Sequence, residues 1–561
     1  MNSENSAQLK QSLALIYKDE GIVDETLNKI KKRFSGYGES AAAKEELSEK
    51  DTMLITYGNS LNQEGKNHLS VLASFLEKHV KDAIKTIHLL PMYPYTSDDG
   101  FSVVDYMKIN PSLGTWEDIE KLAAHYHLMF DAVINHISHK SGWFQGFLEC
   151  RMPYRDFFIT ADPNEDYHAV IRPRTSPLLT KFETKEGLKH VWTTFSADQI
   201  DLNFKNPDLL IEVLDILVQY AKRGAKFIRL DAIGFLWKES GTSCMHLPET
   251  HEVIKLARKI LDIYAPGTFI ITETNVPHED NISYFGNGED EAHLVYQFPL
   301  PPLVMFSFLK GSAKMLSSWA EQLKLPEGNT SFFNFLSSHD GIGIRPVEGI
   351  LAPEEIQFLV TETLKSGGEV SYKDNGDGSK SPYELNINYQ DCLAKPDESD
   401  DVRIKKFLAA ETLLLSMQGI PGIYIHSLLG SRNDYYGKTT SGILRRINRE
   451  QLNVDYIEQQ LSNETNRRKI FDEIIRRLTI RKANQAFSPS APQTIKKMDD
   501  RVFYIIRQGA KEHIHVLINV SDATVEIPTG ITDGVDLITG RKANHTVTLQ
   551  EWDTLWIKTE Q

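Results

Sequence analysis

The sequence predicts an α/β protein whose largest part is a (β/α)8 TIM barrel with inserted loop subdomains. Three observations support this fold: short apolar runs recur through residues 51–486, helical patterns separate most of them, and polar side chains collect where the runs end. About eight strand–helix units in series are what such a barrel needs. We also predict an N-terminal helical extension over residues 1–50 and a C-terminal antiparallel β-domain over residues 487–561.

The composition is that of an acidic globular protein. Hydrophobic residues make up 41% of the chain, and 62 Lys and Arg against 77 Asp and Glu leave a net charge of −15. Without a basic tract, nucleic acid and anionic membranes are not expected partners. The cysteines, Cys150, Cys244 and Cys392, lie far apart, which suits a reducing compartment. Because the N-terminus is polar and no stretch approaches 18 apolar residues, we predict a cytoplasmic location. The oligomeric state is not readable from the sequence.

The first 50 residues carry helical patterning, and residues 41–46 form a polar helix or linker towards the first strand. The predicted barrel strands lie at 53–57, 86–91, 129–134, 226–232, 269–274, 294–299, 331–338 and 420–425. Helical patterns follow several of them, at 69–78, 116–125, 209–223 and 250–264.

Two gaps in this rhythm indicate insertions, at about 137–207 and 341–405. Long loops on a barrel are commonly functional lids or small subdomains. After about residue 487 the pattern changes to short strands at 502–506, 513–520, 524–527 and 546–549, ending at 552–557, which favours an antiparallel β-domain.

The fourth strand carries two opposite charges on one face, Arg229 and Asp231. Charges on a core strand are costly unless they pair or take part in chemistry, so a structural ion pair is the alternative interpretation. Other strands end in polar groups too: the third in His136, the fifth in Glu273 and the seventh in Asp340. Each alone is weak evidence, but all should converge at the carboxyl-terminal mouth of the barrel, where such folds place their sites.

These strand ends carry recognisable motifs. "DAVINH" (131–136), "FIRLDAIGF" (227–235), "IITETN" (270–275) and "FLSSHD" (335–340) resemble the four signature regions of the α-amylase-type superfamily of retaining α-glucoside-active enzymes. "TSDDGFSVVDY" (96–106), "RPR" (172–174), "HDGIG" (339–343) and "RINR" (446–449) are similar to its sucrose phosphorylase-like branch. "WKESGTSC" (237–244) and the long N-terminal extension look most like glucosylglycerate phosphorylases and their glucosylglycerol-active relatives.

The resemblance implies a role for each of three carboxylates. Asp231 corresponds to the nucleophile, Glu273 to the general acid/base and Asp340 to the transition-state stabiliser. Retaining transfer needs one ionised carboxylate to attack the anomeric carbon and a second, protonated one to assist the leaving oxygen. We expect Arg229 to lower the pKa of Asp231, and burial with neighbouring carboxylates to raise that of Glu273.

The resemblance also implies a glucosyl subsite. Asp98 and Arg445 match the pair that grips the far side of the ring, and His136 and His339 match residues that bind sugar hydroxyls. Other lining positions are Phe101, Phe195 and Gln199. The branch generally lacks the calcium ion that some amylases bind at the position of Asn135, so we predict no metal and no cofactor. The alternative role for Asn135 is a hydrogen bond that orients the neighbouring loop.

The second acceptor decides between phosphorolysis and hydrolysis. Arg172, Arg174 and Arg345 are the candidates for binding phosphate, and surface salt bridging is their alternative role. Arg345 would suit the carboxylate of glycerate, whereas Glu348 and Glu384 would suit glycerol, so both acceptors remain open. We therefore predict reversible phosphorolysis of 2-O-α-glucosylglycerate or 2-O-α-glucosylglycerol to glucose 1-phosphate. A sucrose-type phosphorylase, an α-glucosidase and a non-enzymatic amylase-like partner-binding subunit are the alternatives, the last disfavoured because all three carboxylates are present.

Overall fold

The computed structural model describes residues 2–39, 45–375 and 378–560. Most of the helix or linker predicted at 41–46 lies outside these residues. Eight parallel strands close into a barrel, which confirms the predicted fold class. They are β1 (Met53–Thr56), β2 (Thr86–Leu89), β3 (His127–Ala132), β4 (Ala225–Leu230), β5 (Phe269–Thr272), β6 (Leu294–Tyr296), β7 (Ser331–Phe335) and β8 (Ile420–Tyr424).

Helices between the strands surround the barrel. After β1 and β2 come His68–His79 and Trp116–Ala123, and β4 is framed by Pro207–Lys222 and Pro248–Tyr264. The helix at 207–222 has Pro207 in its first turn and Asn206 as its cap, the sequence signature of a helix start. The remaining longer helices are Leu300–Lys310, Lys314–Gln322, Pro353–Lys365, Asp400–Ser416, Val454–Ser462 and Asn466–Lys482.

The register of the barrel brings charged residues together inside it. Arg229 on β4 lies opposite Asp131 on β3, and both side chains are almost fully buried. The Nε2 atom of His88 on β2 lies 2.7 Å from Oδ2 of Asp131. Three neighbouring strands therefore contribute to one buried polar network beneath the mouth of the barrel.

The segments predicted as insertions fold into small sheets. Between β3 and β4, the strands Leu179–Thr184 and Gly187–Trp192 form a hairpin, and His136–Ser138 pairs with Gln199–Asp201. Between β7 and β8, the strands Ile342–Gly343, Lys380–Asn386 and Glu369–Asp374 form a three-stranded antiparallel sheet. Both segments border the carboxyl-terminal mouth.

Two helices precede the barrel, Ser3–Tyr17 and Glu20–Phe34, capped by Asn2 and Asp19. The second is tied to the helix at 207–222: Arg33 lies 2.9 Å from the buried carboxylate of Asp215, and the Tyr37 hydroxyl donates to it at 2.6 Å. The domain limits at residues 50 and 486 stay a prediction. Among the described residues, no helix combines the length and apolar character that crossing a membrane requires.

The C-terminal region is an antiparallel β-structure, as predicted. Its main sheet contains Gln493–Lys496, Val502–Gln508, Glu512–Asn519, Thr554–Glu560, Gly534–Asp536 and Lys542–Ala543, and Val525–Pro528 pairs with Thr546–Leu549. The fully buried Arg481, at the end of the last helix, donates to the carbonyl oxygens of Leu415 and Gly419 near β8 and to that of Phe487. One guanidinium therefore joins the barrel to the segment that leads into the sheet.

Candidate active site

A cavity opens at the carboxyl-terminal mouth of the barrel. It is lined by most of the residues that the sequence singles out. They are Asp98, Phe101, His136, Arg174, Phe195, Gln199, Asp231, Glu273, His339, Asp340, Arg345, Glu384 and Arg445. The structure thus brings together side chains that follow β2, β3, β4, β5, β7 and β8, including some from both inserted segments.

Arg229 lies beneath this cavity and connects the carboxylates. Its Nη1 donates to Asp231 at 2.9 Å and also contacts Asp131, and its Nη2 lies 3.6 Å from Glu273. The side chain is only 2% exposed, so these contacts are screened little by water. The pair of opposite charges on β4 is therefore part of a four-residue network.

The turn after Asp231 adds a further contact. Ala232 has a left-handed backbone (φ 49°), and its amide donates to Oε2 of Glu273 at 3.1 Å. A left-handed conformation is unfavourable for a residue with a side chain, so the surrounding contacts must maintain it. The backbone after one carboxylate therefore positions the other.

Burial dominates the ionisation of Asp231 and Glu273. It raises the pKa of Asp231 well above the ordinary value; the Arg229 guanidinium opposes this shift and the Glu273 charge adds to it. Burial raises the pKa of Glu273 as well, with Arg229 opposing and Asp340 adding to the shift. Arg229 lowers the pKa of Asp231, as predicted. The pKa of Asp231 is nevertheless raised overall, because the effect of burial is larger than that of the Arg229 charge.

These directions suit a pair that shares one proton. Both pKa values are raised, so the pair holds a proton to higher pH than two isolated carboxyls. The Arg229 contact is closer for Asp231 (2.9 Å) than for Glu273 (3.6 Å), which favours the negative charge on Asp231 and the proton on Glu273. That is the distribution that attack by Asp231 requires.

Asp340 is held ionised by a different set of cations. Burial opposes its ionisation, but the charges of Arg445 and Arg449 outweigh burial and keep the pKa of this carboxyl below its ordinary value. Nη1 of Arg445 lies 2.6 Å from Asp340 Oδ1. Asp340 can therefore remain negative beside a protonated Glu273.

Asp98 and Arg445 both line the cavity, but each forms its ion pairs with other residues, and their role in binding the glucosyl ring stays a prediction. Arg445 makes two hydrogen bonds to Glu384, at 2.9 and 2.6 Å, in addition to its contact with Asp340. The ion pair of Asp98 is formed with Arg449 instead, at 3.8 Å, and Arg449 also lies 3.7 Å from Asp340. The motif 446–449 contains this residue, but spacing alone does not distinguish two arginines four positions apart.

The remaining residues of the predicted glucosyl subsite contact one another. Nε2 of His136 lies 2.9 Å from the carbonyl oxygen of Phe101, and Gln199 donates to the same oxygen at 3.1 Å. The rings of Phe101 and His339 stack at 4.8 Å, and those of His136 and Phe195 lie 5.2 Å apart. Burial lowers the pKa of both histidines, which keeps the imidazoles neutral.

Two of the three arginines predicted at the acceptor end lie in the cavity. Arg174 and Arg345 line the cavity, and Arg174 lies over the ring of Tyr383 at 5.5 Å. Within the described ranges neither arginine forms an ion pair with a carboxylate, and the buried Nε of Arg345 has no hydrogen-bond partner. Arg172 is not among the lining residues.

The two glutamates predicted for the acceptor end behave differently. Glu384 lines the cavity, but its carboxylate is neutralised by Arg445. Glu348 is exposed, lies 3.6 Å from Lys373 and borders a separate cavity next to Trp319. Its predicted place at the acceptor end is therefore wrong, because the turn at 345–347 directs it away from the catalytic cavity.

Asn135 makes the hydrogen bonds named as its alternative role. The ammonium of Lys238 donates to Oδ1 of Asn135 at 2.9 Å and lies 2.7 Å from Asp201. The amide of Asn135 also donates to Asp201 at 3.3 Å. A positive side chain thus contacts the oxygens that would otherwise suit a hard cation. Among the described residues, no group of three or more His, Cys, Asp or Glu side chains has the arrangement of a metal site.

Sequence reasoning missed Asn275, Met245 and Tyr383, which also line the cavity. Asn275 directly follows the motif residue Thr274, and its amide packs against Gly343, where an added Cβ would lie 2.7–3.0 Å from it. Asn275 is the last letter of "IITETN", so its place in the motif was the available signal. Met245 lies in the loop after β4 and Tyr383 on a strand of the second inserted segment, and the sequence does not reveal the direction of either side chain.

Comparisons with known proteins agree with this site. Residues 78–344 match the family model "Alpha amylase, catalytic domain". The chain is 50% identical over 513 residues to a glucosylglycerate phosphorylase of Allomeiothermus silvanus, covering 91% of each protein. It is 30% identical to a glucosylglycerol phosphorylase of Marinobacter adhaerens, over 70% of this chain and 81% of that protein.

A solved structure supports the same relationship. The crystal structure of a sucrose 6F-phosphate phosphorylase from Thermoanaerobacter thermosaccharolyticum superimposes with a TM-score of 0.75 at 25% identity, covering 91% of this chain and 99% of that one. The barrel, the C-terminal sheet and the sequence similarity across nine-tenths of the chain point to one conclusion. The chain belongs to the sucrose phosphorylase-like branch of the α-amylase superfamily.

Proposed function

We propose that this protein is a retaining glycoside phosphorylase that converts 2-O-α-glucosylglycerate and phosphate reversibly into α-D-glucose 1-phosphate and glycerate. The observation that carries the proposal is the pair of arginines, Arg174 and Arg345, at the mouth of a cavity that also holds three carboxylates. Guanidinium groups bind carboxylate and phosphate oxygens well, so two arginines that pair with no carboxylate among the described residues suit anionic partners. The relative at 50% identity bears the name of this activity.

The reaction proceeds in two displacements. In the first, Asp231 attacks the anomeric carbon, the bond to the glycerate oxygen breaks, and Glu273 donates its proton to that oxygen. In the second, a phosphate oxygen attacks the glucosyl–Asp231 ester, the ester bond breaks, and Glu273 takes a proton from phosphate. The ionised Asp340, with its charge set by Arg445 and Arg449, stabilises the oxocarbenium-like transition states.

The charges at the acceptor end favour glycerate over glycerol. Glu384 is compensated by Arg445, and Glu348 lies outside the cavity. The two carboxylates that argued for a neutral acceptor therefore do not repel an anion there. Arg174 and Arg345 leave this end of the cavity positive, which suits the glycerate carboxylate and phosphate alike.

The test uses the purified enzyme with 2-O-α-glucosylglycerate in the presence and absence of phosphate. We expect glucose 1-phosphate to form only with phosphate, and glycerate to be preferred over glycerol and fructose when glucose 1-phosphate is the donor. Glucose released at the same rate without phosphate would instead show an α-glucosidase. A preference for fructose would show a sucrose-type phosphorylase. The proposed location is the cytoplasm, supported by the three unpaired thiols at Cys150, Cys244 and Cys392.

A further inference from the structure

The loop after β2 contains an unusual turn beside the glucosyl subsite. Asp98 and Asp99 both adopt left-handed backbone conformations, with φ of 51° and 48°, and Gly100 follows with φ of 120°. A Cβ atom at Gly100 would lie 2.9 Å from Pro91, so the loop packs tightly there. Two consecutive left-handed residues that carry side chains are unfavourable, and such a turn persists only where other contacts hold it.

The turn directs the two neighbouring carboxylates to opposite sides. Asp98 lines the catalytic cavity, whereas Asp99 lines a second, separate cavity. Asp99 does not line the catalytic cavity, so any influence it has on the reaction must pass through other residues.

Asp99 is gripped by two arginines from the loop after β8. Nη2 of Arg446 lies 2.5 Å from Oδ1, and Nε of the same residue donates to Oδ2 at 3.2 Å. Nη1 of Arg449 donates to Oδ2 at 2.9 Å. The Asp99 side chain is only 14% exposed, and a fork of this kind fixes orientation as well as position.

Arg449 connects the ion pairs of Asp99 to Asp98 and Asp340 in the catalytic cavity. Its Nε donates to the carbonyl oxygen of His339 at 2.6 Å, and its other nitrogens lie 3.8 Å from Asp98 and 3.7 Å from Asp340. The contact at Asp99 is the shortest ion pair that Arg449 makes. Without the Asp99 carboxylate, Arg449 loses its closest ion pair, and among the described residues the 3.8 Å contact of Asp98 is the remaining ion pair between the left-handed turn and the β8 loop.

We propose that Asp99 is a positioning residue: clamped by Arg446 and Arg449, it holds Asp98 and Arg449 in the geometry that the glucosyl ring requires. The inference rests on the proposed function for its choice of substrates. The glucosyl group occupies the same subsite in both directions of the reaction. Removing the clamp should therefore weaken the use of both glucosyl donors to a similar degree and leave acceptor binding unchanged.

The experiment compares Asp99→Asn, Arg446→Gln and the double variant. We expect each single variant to lower kcat/KM for glucosylglycerate and for glucose 1-phosphate by about 10–100-fold, the cost of a displacement of about 1 Å near a reacting centre. The KM for glycerate should stay within about 2-fold. Because both residues take part in one contact, kcat/KM of the double variant should be no lower than kcat/KM of the less active single variant.

A matched control lies in the same loop. Asp105 pairs with the exposed Lys108 at 2.9 Å, so Asp105→Asn removes an ion pair without touching the clamp. We expect it to change kcat/KM by less than about 2-fold. Asp98→Asn, which alters the subsite directly, should reproduce the pattern of Asp99→Asn.

A binding measurement separates the clamp from the proposed reaction. The affinity of the glucose-shaped iminosugar 1-deoxynojirimycin, measured by calorimetry, reports the glucosyl subsite without turnover, and Asp99→Asn should weaken it at least about 10-fold. Unchanged affinity, losses that multiply in the double variant, or an equal rise in the KM for glycerate would overturn the positioning role. If the unaltered enzyme binds the iminosugar but is inactive on glucosylglycerate, the proposed function fails while the binding test of the clamp still stands.

Discussion

Replacement of Arg345 by glutamine tests the assignment of the acceptor end. Arg345 faces the catalytic cavity, its buried Nε has no hydrogen-bond partner, and among the described residues it pairs with no carboxylate. Its guanidinium is therefore available to the substrate rather than engaged within the protein. Glutamine keeps a polar side chain of moderate length but removes the positive charge and the guanidinium N–H groups that can bind two oxygens at once.

The size of the effect follows from the contact that is lost. A hydrogen bond to a charged group contributes about 1.5–3 kcal/mol, and about 1.4 kcal/mol corresponds to a tenfold change. One such bond to the glycerate carboxylate is therefore worth about 10–150-fold in kcat/KM. Glycerol carries no charge, so its kcat/KM should change by less than about 3-fold.

The assay follows phosphate release from glucose 1-phosphate with glycerate or glycerol as acceptor. Arg155→Gln is the control, because Arg155 also lies on an inserted segment but is half exposed and 3.5 Å from Glu186 at the surface. Glucose 1-phosphate is kept saturating, so that binding of its phosphate does not limit the rate. The reasoning fails if Arg345→Gln then lowers kcat/KM for glycerol as much as kcat/KM for glycerate, since the residue would support the loop rather than the anion.

Further predictions concern the carboxylates, the loop glycine and the domain junction. Asp231→Asn should reduce phosphorolysis at least about 10³-fold, measured as glucose 1-phosphate formation, and wild-type rates would place the nucleophile elsewhere. Because Asp231 must be ionised and its pKa is raised above the ordinary 3.8, activity should disappear as the pH falls through that raised value; an acidic limb of kcat/KM at or below 3.8 would contradict this. Glu273 must be protonated and its pKa is raised above 4.5, so the basic limb should lie above 4.5. Gly343→Ala places a Cβ 2.7–3.0 Å from the amide of Asn275 and should lower kcat/KM, and adding Asn275→Ala should restore part of it; no restoration would show that the clash is not the cause. Arg481→Met leaves buried carbonyl groups without donors and should destabilise the fold by at least about 3 kcal/mol, seen as a lower Tm in calorimetry, whereas an unchanged Tm would refute the anchoring role.

The barrel was predictable because its strands are short buried runs, and such runs are visible without knowing any contact. The predicted run at 226–232 corresponds to β4 at 225–230, and that at 331–338 to β7 at 331–335. The ends differ because polar residues such as Asp231 lie just beyond the last paired residues of the barrel strands. Very short strands such as Gly534–Asp536 escaped prediction, since three residues carry little pattern.

The candidate site was predictable at strand ends and poorly predictable on loops. Glu273 and Asp340 follow buried strands, whose direction fixes where the next side chain can go. Arg445 and Arg449 lie four residues apart in one irregular segment, and only the folded contacts decide which of them meets Asp98. Likewise, the direction of Glu348 depends on a turn whose geometry the residue types do not determine. The net ionisation of Asp231 depends on burial depth, which a sequence does not contain.

The carboxylate of Glu384 has a consequence for exchanging acceptor loops between relatives. It stands on the strand Lys380–Asn386 of the inserted segment, is 2% exposed, and binds the same guanidinium that contacts Asp340. A transplanted loop without an acid at this position would leave Arg445 with Asp340 as its sole carboxylate partner among the described residues. Such an exchange would change the electrostatic surroundings of Asp340, which stabilises the transition state, as well as the choice of acceptor. The inserted segment therefore contributes to the charge balance of the catalytic centre. A loop grafted in to change the acceptor needs a carboxylate that can pair with Arg445.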